Sequence, residues 1–284
     1  MSWYPGHMKK ALDEIIEKKK MVDVVIEIVD ARIPYSTKNP LIDKIAAKKE
    51  HMIVLTKKDL ADMIKTKEWV EHFKSEGYNV IAIDTRSKRD IVELKKELAI
   101  VHKYLLEEKN QKRENFEMKI MVVGMPNVGK SSLLNALKGQ KSTKVGNTPG
   151  VTKTMQWVRI SDNILLLDTP GILMKSKSEE NRVNNLEILN SIDTSEIDSA
   201  EIAIKIVDML KSKYPGKLNE RYKVEEQGEA LEILENIGRK RGALIKGGNI
   251  DYTKVGNIIV DEFRKGILGN LTLENVDELD RTEL

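Results

Sequence analysis

The stretch Gly124-Met125-Pro126-Asn127-Val128-Gly129-Lys130-Ser131 decides the fold. It has the pattern G-x-x-x-x-G-K-S and stands between an apolar run at 118–123, typical of a buried strand, and a helical pattern at 129–137. In such a loop, glycines let backbone N–H groups approach phosphate oxygens, and the start of the helix adds its positive dipole. Lys130 would reach the β- and γ-phosphates, and Ser131 would bind Mg²⁺. The stretch therefore predicts a nucleoside triphosphate site, with a chance match as the alternative.

Apolar runs of strand length occur on both sides of this loop. Three precede it, at 22–29, 52–55 and 78–83, and each is followed by a helical pattern. Two more follow it, at 155–160 and 164–167, separated by a short polar turn that is typical of a hairpin. Strands that alternate with helices predict a doubly wound, mainly parallel α/β sheet, with its ligand beyond the carboxyl ends of the strands.

The strand signal disappears at about residue 180. Residues 196–210, 229–237 and 251–265 show the spacing of amphipathic helices, separated by glycine-containing turns. We therefore predict two domains, an α/β nucleotide-binding domain at 1–178 and a small all-α domain at 179–284.

Composition narrows the class of protein. The chain has 284 residues, 40% hydrophobic and 33% charged, and no cysteine, which excludes disulfides, thiolate metal sites and cysteine nucleophiles. No apolar run approaches the roughly 20 residues that span a bilayer, and the N-terminus lacks the pattern of a secretory signal. A cytoplasmic protein without a membrane partner is expected. Residues 1–180 hold 33 Lys/Arg against 25 Asp/Glu, and the rest holds 15 against 20. This asymmetry permits a nucleic-acid face on the first part, although plain solubility also explains it.

Asp168-Thr169-Pro170-Gly171 follows the last apolar run. At the end of a strand, Asp168 can hold Mg²⁺ through water, and the N–H of Gly171 can meet the γ-phosphate. The alternative is an ordinary turn, since these residue types also favour turns.

The glycine-rich segment 146–153 stands between the phosphate loop and Asp168, where a first switch loop is expected. Thr152 is the preferred hydroxyl for Mg²⁺ and for sensing the γ-phosphate, and Thr148 is the second choice. A loop without a ligand role is the alternative.

Thr56-Lys57-Lys58-Asp59 matches the guanine-specificity pattern, usually Asn-Lys-x-Asp, at the end of a strand. The carboxylate of Asp59 would accept hydrogen bonds from N1 and N2 of guanine, and adenine lacks that donor pair. Threonine in place of asparagine is expected to weaken the tether between this loop and the phosphate loop. Asp84-Thr85 stands where a backbone N–H usually meets guanine O6. A surface turn without a ligand is the alternative for both.

The order of these motifs is inverted. In ordinary GTPases the phosphate loop comes first and the base-reading loops last, whereas here residues 56–59 and 84–86 precede residues 124–131. The sequence therefore predicts a circularly permuted GTPase sheet, which a site built from loops at one edge of a sheet tolerates.

Four features point in the same direction: the inverted motif order, the opening Trp3-Tyr4-Pro5-Gly6-His7-Met8, the strand ending Asp30-Ala31-Arg32 and a tail with Gly247-Gly248-x-x-Asp251. In these features the chain resembles, over nearly its whole length, the YlqF/RbgA-type circularly permuted GTPases. The resemblance implies a switch in assembly of the large ribosomal subunit or its precursor, slow GTP hydrolysis by the isolated protein, and stimulation by the ribosomal particle.

The resemblance also bears on catalysis. Ile172 stands just after Gly171, where small GTPases usually carry a glutamine that orients water, so another group is needed. The resemblance makes His7 the candidate, whereas a single N-terminal histidine is, from the sequence alone, more often without a catalytic role. It also makes Asn127 a candidate K⁺ ligand.

The predicted RNA contacts are two basic clusters, one at residues 239–241 with Lys246 and one at residues 9–20, and either could be a solvated face. We predict a monomer. The predicted contacts with GTP or GDP are Thr56, Lys57, Asp59, Asp84, Thr85, Asn127, Val128, Gly129, Lys130, Ser131, Ser132, Thr152 and Gly171. The predicted Mg²⁺ ligands are Ser131, Thr152 and Asp168, and the predicted catalytic residues are His7 and Lys130. The rival functions are a permuted GTPase acting on another RNA or protein, and a nucleotide-gated RNA- or protein-binding module with little hydrolysis.

Overall fold

The computed structural model describes residues 6–108, 116–138, 155–172 and 180–281. Its strands are β1 Val24–Asp30, β2 Glu50–Thr56, β3 Asn79–Ala82, β4 Met118–Gly124, β5 Gln156–Ser161 and β6 Ile164–Asp168. Its helices are α1 Gly6–Lys18, α2 Pro34–Thr37, α3 Pro40–Ala46, α4 Met63–Ser75, α5 Lys88–Glu108, α6 Lys130–Lys138, α7 Glu180–Ile188, α8 Ser199–Lys213, α9 Lys217–Tyr222, α10 Ala230–Lys240 and α11 Tyr252–Arg264. Short 3-10 turns occupy Lys19–Met21, Lys58–Leu60 and Val276–Arg281.

The six strands form one sheet in the order β3-β2-β1-β4-β6-β5. Every neighbouring pair is parallel except the hairpin β5–β6. The doubly wound, mainly parallel sheet that the sequence predicts is therefore confirmed. The strand before the phosphate loop, β4, lies at the centre between β1 and β6, so the loops that follow these strands meet at one edge.

The central strands are buried on both faces. All seven residues of β1 are buried. Its alternate residues Val24, Ile26 and Ile28 belong to one apolar cluster, whereas Val25 and Val29 belong to two others. A strand with helices on both faces needs this continuous apolar pattern, because successive side chains point in opposite directions.

The register of the sheet places the ends of the strands side by side. Asp30 of β1 lies opposite Thr56 of β2, and Ile28 lies opposite Gly124 of β4. Val122 of β4 lies opposite Asp168 of β6. The residues that the sequence analysis assigned to a ligand therefore come from neighbouring strand ends.

The second part of the chain is helical, as predicted, and α8 packs against α10 and α11. The start of α8 is capped by Asp198, whose carboxylate accepts a hydrogen bond from the N–H of Ala200 at 2.9 Å. Gly256 on α11 permits a close crossing, because a Cβ there would lie 2.6 Å from the nitrogen of Ala200. No helix in the described part of the chain is long and apolar enough to cross a membrane.

The end of the chain returns to the sheet, which the sequence analysis did not anticipate. The N–H of Leu273 donates to the carbonyl of Arg32 at 2.8 Å, and the indole of Trp69 donates to the carbonyl of Glu274 at 3.2 Å. The buried carboxylate of Glu274 accepts from the N–H groups of Tyr35 and Ser36, at 2.7 and 3.1 Å. Burial raises the pKa of Glu274, and these hydrogen bonds partly oppose it. The boundary at 178/179 between the two domains stays a prediction.

Candidate nucleotide-binding site

The phosphate loop runs from the end of β4 to the start of α6, and close backbone contacts require its glycines. A Cβ on Gly124 would lie 2.6 Å from the carbonyl oxygen of Ile28. Gly129 has φ +103°, and a Cβ there would lie 3.3 Å from the hydroxyl of Thr56. Asn127 also has a positive φ, 59°. A loop with positive φ angles at Asn127 and Gly129, just before the start of α6, is the kind of backbone that forms anion sites.

Lys130 is the buried cation of the loop, with 9% of its surface exposed. Its ammonium donates to the carbonyls of Gly124 at 3.0 Å and Met125 at 2.7 Å. Burial lowers the pKa of Lys130 to about 8, against the opposing effect of Asp168. The side chain therefore stays mostly protonated at neutral pH and is held at the loop by backbone carbonyls.

The segment that follows β6 lies against the phosphate loop. The N–H of Ile172 donates to the carbonyl of Gly124 at 3.1 Å, and a Cβ on Gly171 would lie 3.1 Å from the nitrogen of Pro126. Ser131 and Ser132 are exposed in the first turn of α6. An exposed hydroxyl at Ser131 and the carboxylate of Asp168 at the adjacent strand end offer the hard oxygen ligands that Mg²⁺ prefers.

The base-reading loop is bonded directly to the phosphate loop. The hydroxyl of Thr56 hydrogen-bonds to the carbonyl of Val128 and lies 3.1 Å from that of Val29. The ammonium of Lys57 donates to the carbonyl of Asn127 at 2.6 Å. Threonine at position 56 therefore still ties this loop to the phosphate loop, and the expectation that it does so more weakly than asparagine stays a prediction. Because Gly129 has no side chain, the loop comes close enough for the shorter threonine to bridge it.

Asp59 lies in the 3-10 turn after β2 and forms an ion pair with Arg86. Burial and the charge of Asp84 raise the pKa of Asp59, although Arg86 opposes them. Loops 56–59 and 84–86 are thereby joined. The N–H of Asp84 donates to Asp90 at 2.8 Å, so Thr85 is the better candidate of its pair for guanine O6.

Comparison with known proteins identifies the family. A model described as RsgA GTPase matches residues 22–176, and one described as 50S ribosome-binding GTPase matches residues 119–243. Ribosome biogenesis GTPase A of Bacillus cereus is 38% identical, across 98% of this chain and 95% of that protein. The chain belongs to the ribosome biogenesis GTPase A family. It is therefore a GTP-hydrolysing enzyme, as the motifs predicted.

Other members of the family support the same fold. Ribosome biogenesis GTPase A of Thermotoga maritima is 32% identical, across 98% of this chain and 96% of that protein. The crystal structure of GNP-bound YlqF from T. maritima matches with a TM-score of 0.66 and 29% identity, across 94% of this chain and 98% of that chain. The circularly permuted GTPase fold that the inverted motif order predicted is confirmed.

Two predicted site residues lie wholly or partly outside the described residues. Thr152 and its alternative Thr148 fall within 139–154. His7 lies in the first turn of α1, but its side chain is outside the description. Leu12 of α1 and Ile172 belong to the same buried apolar cluster. The helix that carries His7 therefore packs in the same apolar cluster as Ile172, the residue that follows Gly171.

Asp30 and Arg32, for which no role was predicted, lie at the base-reading loop. A carboxylate oxygen of Asp30 lies 2.8 Å from the ammonium of Lys57 and 2.8 Å from the guanidinium of Arg32. The sequence did carry a signal for a place at this site, because Asp30 is a charged residue at the end of an apolar strand, as Thr56 is the last residue of the neighbouring strand. Asn190 was also missed, and its carbonyl accepts from the amide of Asn127 at 2.5 Å.

A separate group of potential metal ligands lies between β1, α3 and β2. Glu27, Asp43 and His51 place three ligand atoms within 4.8 Å of one another. The ammonium of Lys38 lies 2.8 Å from a carboxylate oxygen of Asp43, and the hydroxyl of Tyr78 donates to Asp43 at 2.9 Å. Since Lys38 already neutralises Asp43, these residues form an internal ionic network.

Proposed function

We propose that this GTPase binds GTP and Mg²⁺ between residues 56–59 and 124–131 and hydrolyses GTP as a switch in assembly of the large ribosomal subunit. One observation carries the nucleotide site. Thr56 and Lys57 are bonded to the carbonyls of Val128 and Asn127, so the loop that carries Asp59 and the loop that carries Lys130 face one ligand.

In this proposal, Asp59 accepts from N1 and N2 of guanine, the stem of Lys57 covers the ring and Thr85 or Asp84 lies at O6. The N–H groups of residues 127–132 and the ammonium of Lys130 hold the phosphates. Ser131, Thr152 and Asp168 hold Mg²⁺, and the N–H of Gly171 meets the γ-phosphate. These residues would hold Mg²⁺ where its charge would offset the charge that develops on the phosphate oxygens.

Catalysis needs a group that orients water, and Ile172 cannot supply one. It is apolar, with 1% of its surface exposed. We propose His7 for this role, because α1 belongs to the same buried cluster as Ile172. We also propose that the amide oxygen of Asn127 binds K⁺, which predicts faster hydrolysis in potassium than in sodium salts.

The ribosomal role rests on the family. Proteins named ribosome biogenesis GTPase A align over nearly the whole chain, and a relative in Mus musculus, 29% identical, is named mitochondrial ribosome-associated GTPase 1. A cytoplasmic location and a monomeric state stay predictions.

An RNA contact through the helical segment is also proposed. Lys240 and Lys246 are exposed there, whereas Arg239 and Arg241 are paired with Glu235 and Glu262. Phosphate contacts to such lysines would make binding weaken with salt.

The switch is proposed to act through α7. We propose that the segment beginning at Gly171, which would meet the γ-phosphate, is a second switch loop, and the next element described along the chain is α7. Arg182 of that helix donates to the carbonyl of Tyr35 at 3.1 Å. Loss of the γ-phosphate would change the position of α7 and of the helices packed on it. Equal relative orientations of the sheet and the helices in GTP-analogue and GDP complexes would refute this.

The buried Ile172 favours one second candidate function, a nucleotide-gated RNA- or protein-binding module that hydrolyses GTP little. Single-turnover GTP hydrolysis with and without large-subunit particles separates the two. The proposal expects strong stimulation in the wild type, loss of stimulation in His7→Ala, and retained stimulation in the matched control His72→Ala on α4.

Absence of stimulation in the wild type would refute the assembly role, and equal stimulation in His7→Ala would remove His7 from catalysis. Co-sedimentation with the same particles at two salt concentrations tests the RNA contact, with loss at the higher concentration expected.

A further inference from the structure

Asp30 is a buried carboxylate at the carboxyl end of β1, with no exposed surface. A charge buried in this way needs partners, because removing it from water is expensive. Arg32 binds it through two nitrogens, Nη2 at 2.8 Å and Nε at 3.0 Å, and Lys57 lies 2.8 Å from Oδ2. Burial raises the pKa of Asp30, but the charges of Arg32 and Lys57 outweigh it and hold the pKa well below its usual range. Asp30 is therefore a fixed anion at the strand end.

This anion restrains Lys57. Lys57 has φ +59°, in a region that non-glycine residues rarely adopt, so surrounding contacts must hold its backbone. Its ammonium is held between Asp30 at 2.8 Å and the carbonyl of Asn127 at 2.6 Å. Because the backbone and the ammonium of Lys57 are both held, its aliphatic stem is restrained beside the turn that carries Asp59. A preorganised stem loses little conformational freedom when a planar base lies against it.

The same pair reaches the helical segment. Nη1 of Arg32 donates to the carbonyl of Arg264 on α11 at 3.2 Å. Arg264 in turn donates to the carbonyls of Ile188 at 2.7 Å and Glu187 at 3.0 Å, in the last turn of α7. A cation suits this position, since the C-terminus of a helix exposes unpaired carbonyls and carries partial negative charge.

We infer that Asp30 positions Lys57 for the guanine ring and that Arg32 and Arg264 couple the base site to the last turn of α7. The inference rests on the proposed guanine site and extends it to residues that touch no nucleotide. Coupling is reciprocal, so a guanine nucleotide that fixes Lys57 also stabilises the last turn of α7.

The first test is a double-mutant cycle on GDP affinity with Asp30→Asn and Lys57→Ala. Asp30→Asn should weaken GDP binding about tenfold, in line with loss of a charge-assisted hydrogen bond. If Asp30 acts through Lys57, adding Asp30→Asn to Lys57→Ala should cost less than twofold more. A merely structural role for Asp30 would make the two effects additive. The matched control is Asp261→Asn, whose carboxylate is exposed and paired with Lys265.

The second test measures amide hydrogen exchange at residues 187–191 with and without GDP. The wild type should exchange more slowly there when GDP is bound, and Arg264→Met should lose at least half of that slowing. GDP affinity should fall about two- to fivefold in Arg264→Met, which is the size of a modest coupling energy. Undiminished slowing in Arg264→Met would overturn the coupling.

The positioning role of Asp30 would be overturned if Asp30→Asn bound GDP as tightly as the wild type, or if the effects of Asp30→Asn and Lys57→Ala on GDP affinity were additive. If Asp30→Asn fails to fold because Arg32 is left without an anion, Asp30→Leu with Arg32→Met removes both charges and should still weaken GDP binding. Asp59→Ala separates a failure of the proposed guanine site from a failure of the positioning role of Asp30. If it leaves GDP affinity unchanged, the proposed guanine site fails; if it abolishes binding while Asp30→Asn has no effect, only this inference fails.

Discussion

Replacing Lys130 by methionine should abolish nucleotide binding and, at neutral pH, stabilise the protein without ligand. The decrease in the pKa of Lys130 from 10.5 to about 8 corresponds to about 3 kcal/mol of unfavourable free energy for holding the charged amine in the fold. Methionine removes that charge but also removes the hydrogen bonds to Gly124 and Met125, which together offset about 1–2 kcal/mol. The cost of burying the charge is larger than the contribution of the hydrogen bonds. Lys130→Met should therefore raise the free energy of unfolding by about 1–2 kcal/mol at pH 7.

The effect should depend on pH with a definite sign. Because the folded state binds the Lys130 proton more weakly than the unfolded chain, the penalty is fully present below about pH 8 and disappears as the pH rises to 10.5. The advantage of Lys130→Met should therefore shrink above about pH 8 and reverse between about pH 9 and pH 10, since the neutral amine still donates hydrogen bonds.

Urea unfolding without nucleotide, followed by tryptophan fluorescence with the buried Trp69 as a core probe, measures this difference. Lys138→Met, in the last turn of the same helix, is the matched control and should not show the gain. A variant that is less stable than the wild type at pH 7, or a difference that does not change between pH 7 and pH 10, would refute the reasoning.

Three further outcomes follow from the geometry. Gly171→Ala places a Cβ 3.0–3.1 Å from Pro126, so the phosphate loop must shift. The rate of GTP hydrolysis at saturating GTP should therefore fall about tenfold or more, while GDP affinity changes less. Equal rates of hydrolysis in the variant and the wild type would contradict this. Glu274→Ala leaves the N–H groups of Tyr35 and Ser36 without their acceptor and should lower the free energy of unfolding in urea by about 3 kcal/mol. Because the pKa of Asp59 is raised and guanine needs its carboxylate, GDP affinity should decline on acidification at a higher pH than it would with an ordinary aspartate. Asp59→Asn should lack that decline.

The sheet and the location of its ligand were predictable because they depend on local patterns. The apolar runs that became β1, β2 and β4 are continuous, and such runs with helices between them build a parallel sheet whose active edge is at the strand ends. The loops around Asp59 and Lys130 could therefore be assigned to one edge before their contacts were known.

The contacts that tie the site together were not predictable, because they join distant parts of the chain. Glu274 binds the backbone of Ser36, 238 residues away, and Arg264 binds Ile188 in the last turn of α7, 76 residues away. No periodic pattern records such pairs. The contact made by Thr56 was not predictable either, since it depends on how closely Gly129 allows two loops to approach.

In the proposed function, residues 56–59 and 124–131 form one guanine-nucleotide site despite their inverted order. Competition of GDP, inosine diphosphate and ADP for the wild-type protein measures whether this site reads the base. A site that hydrogen-bonds the base through Asp59 should bind GDP at least about a hundredfold more tightly than ADP, with inosine diphosphate between them because it lacks the N2 donor. Equal affinities for GDP and ADP would contradict the account.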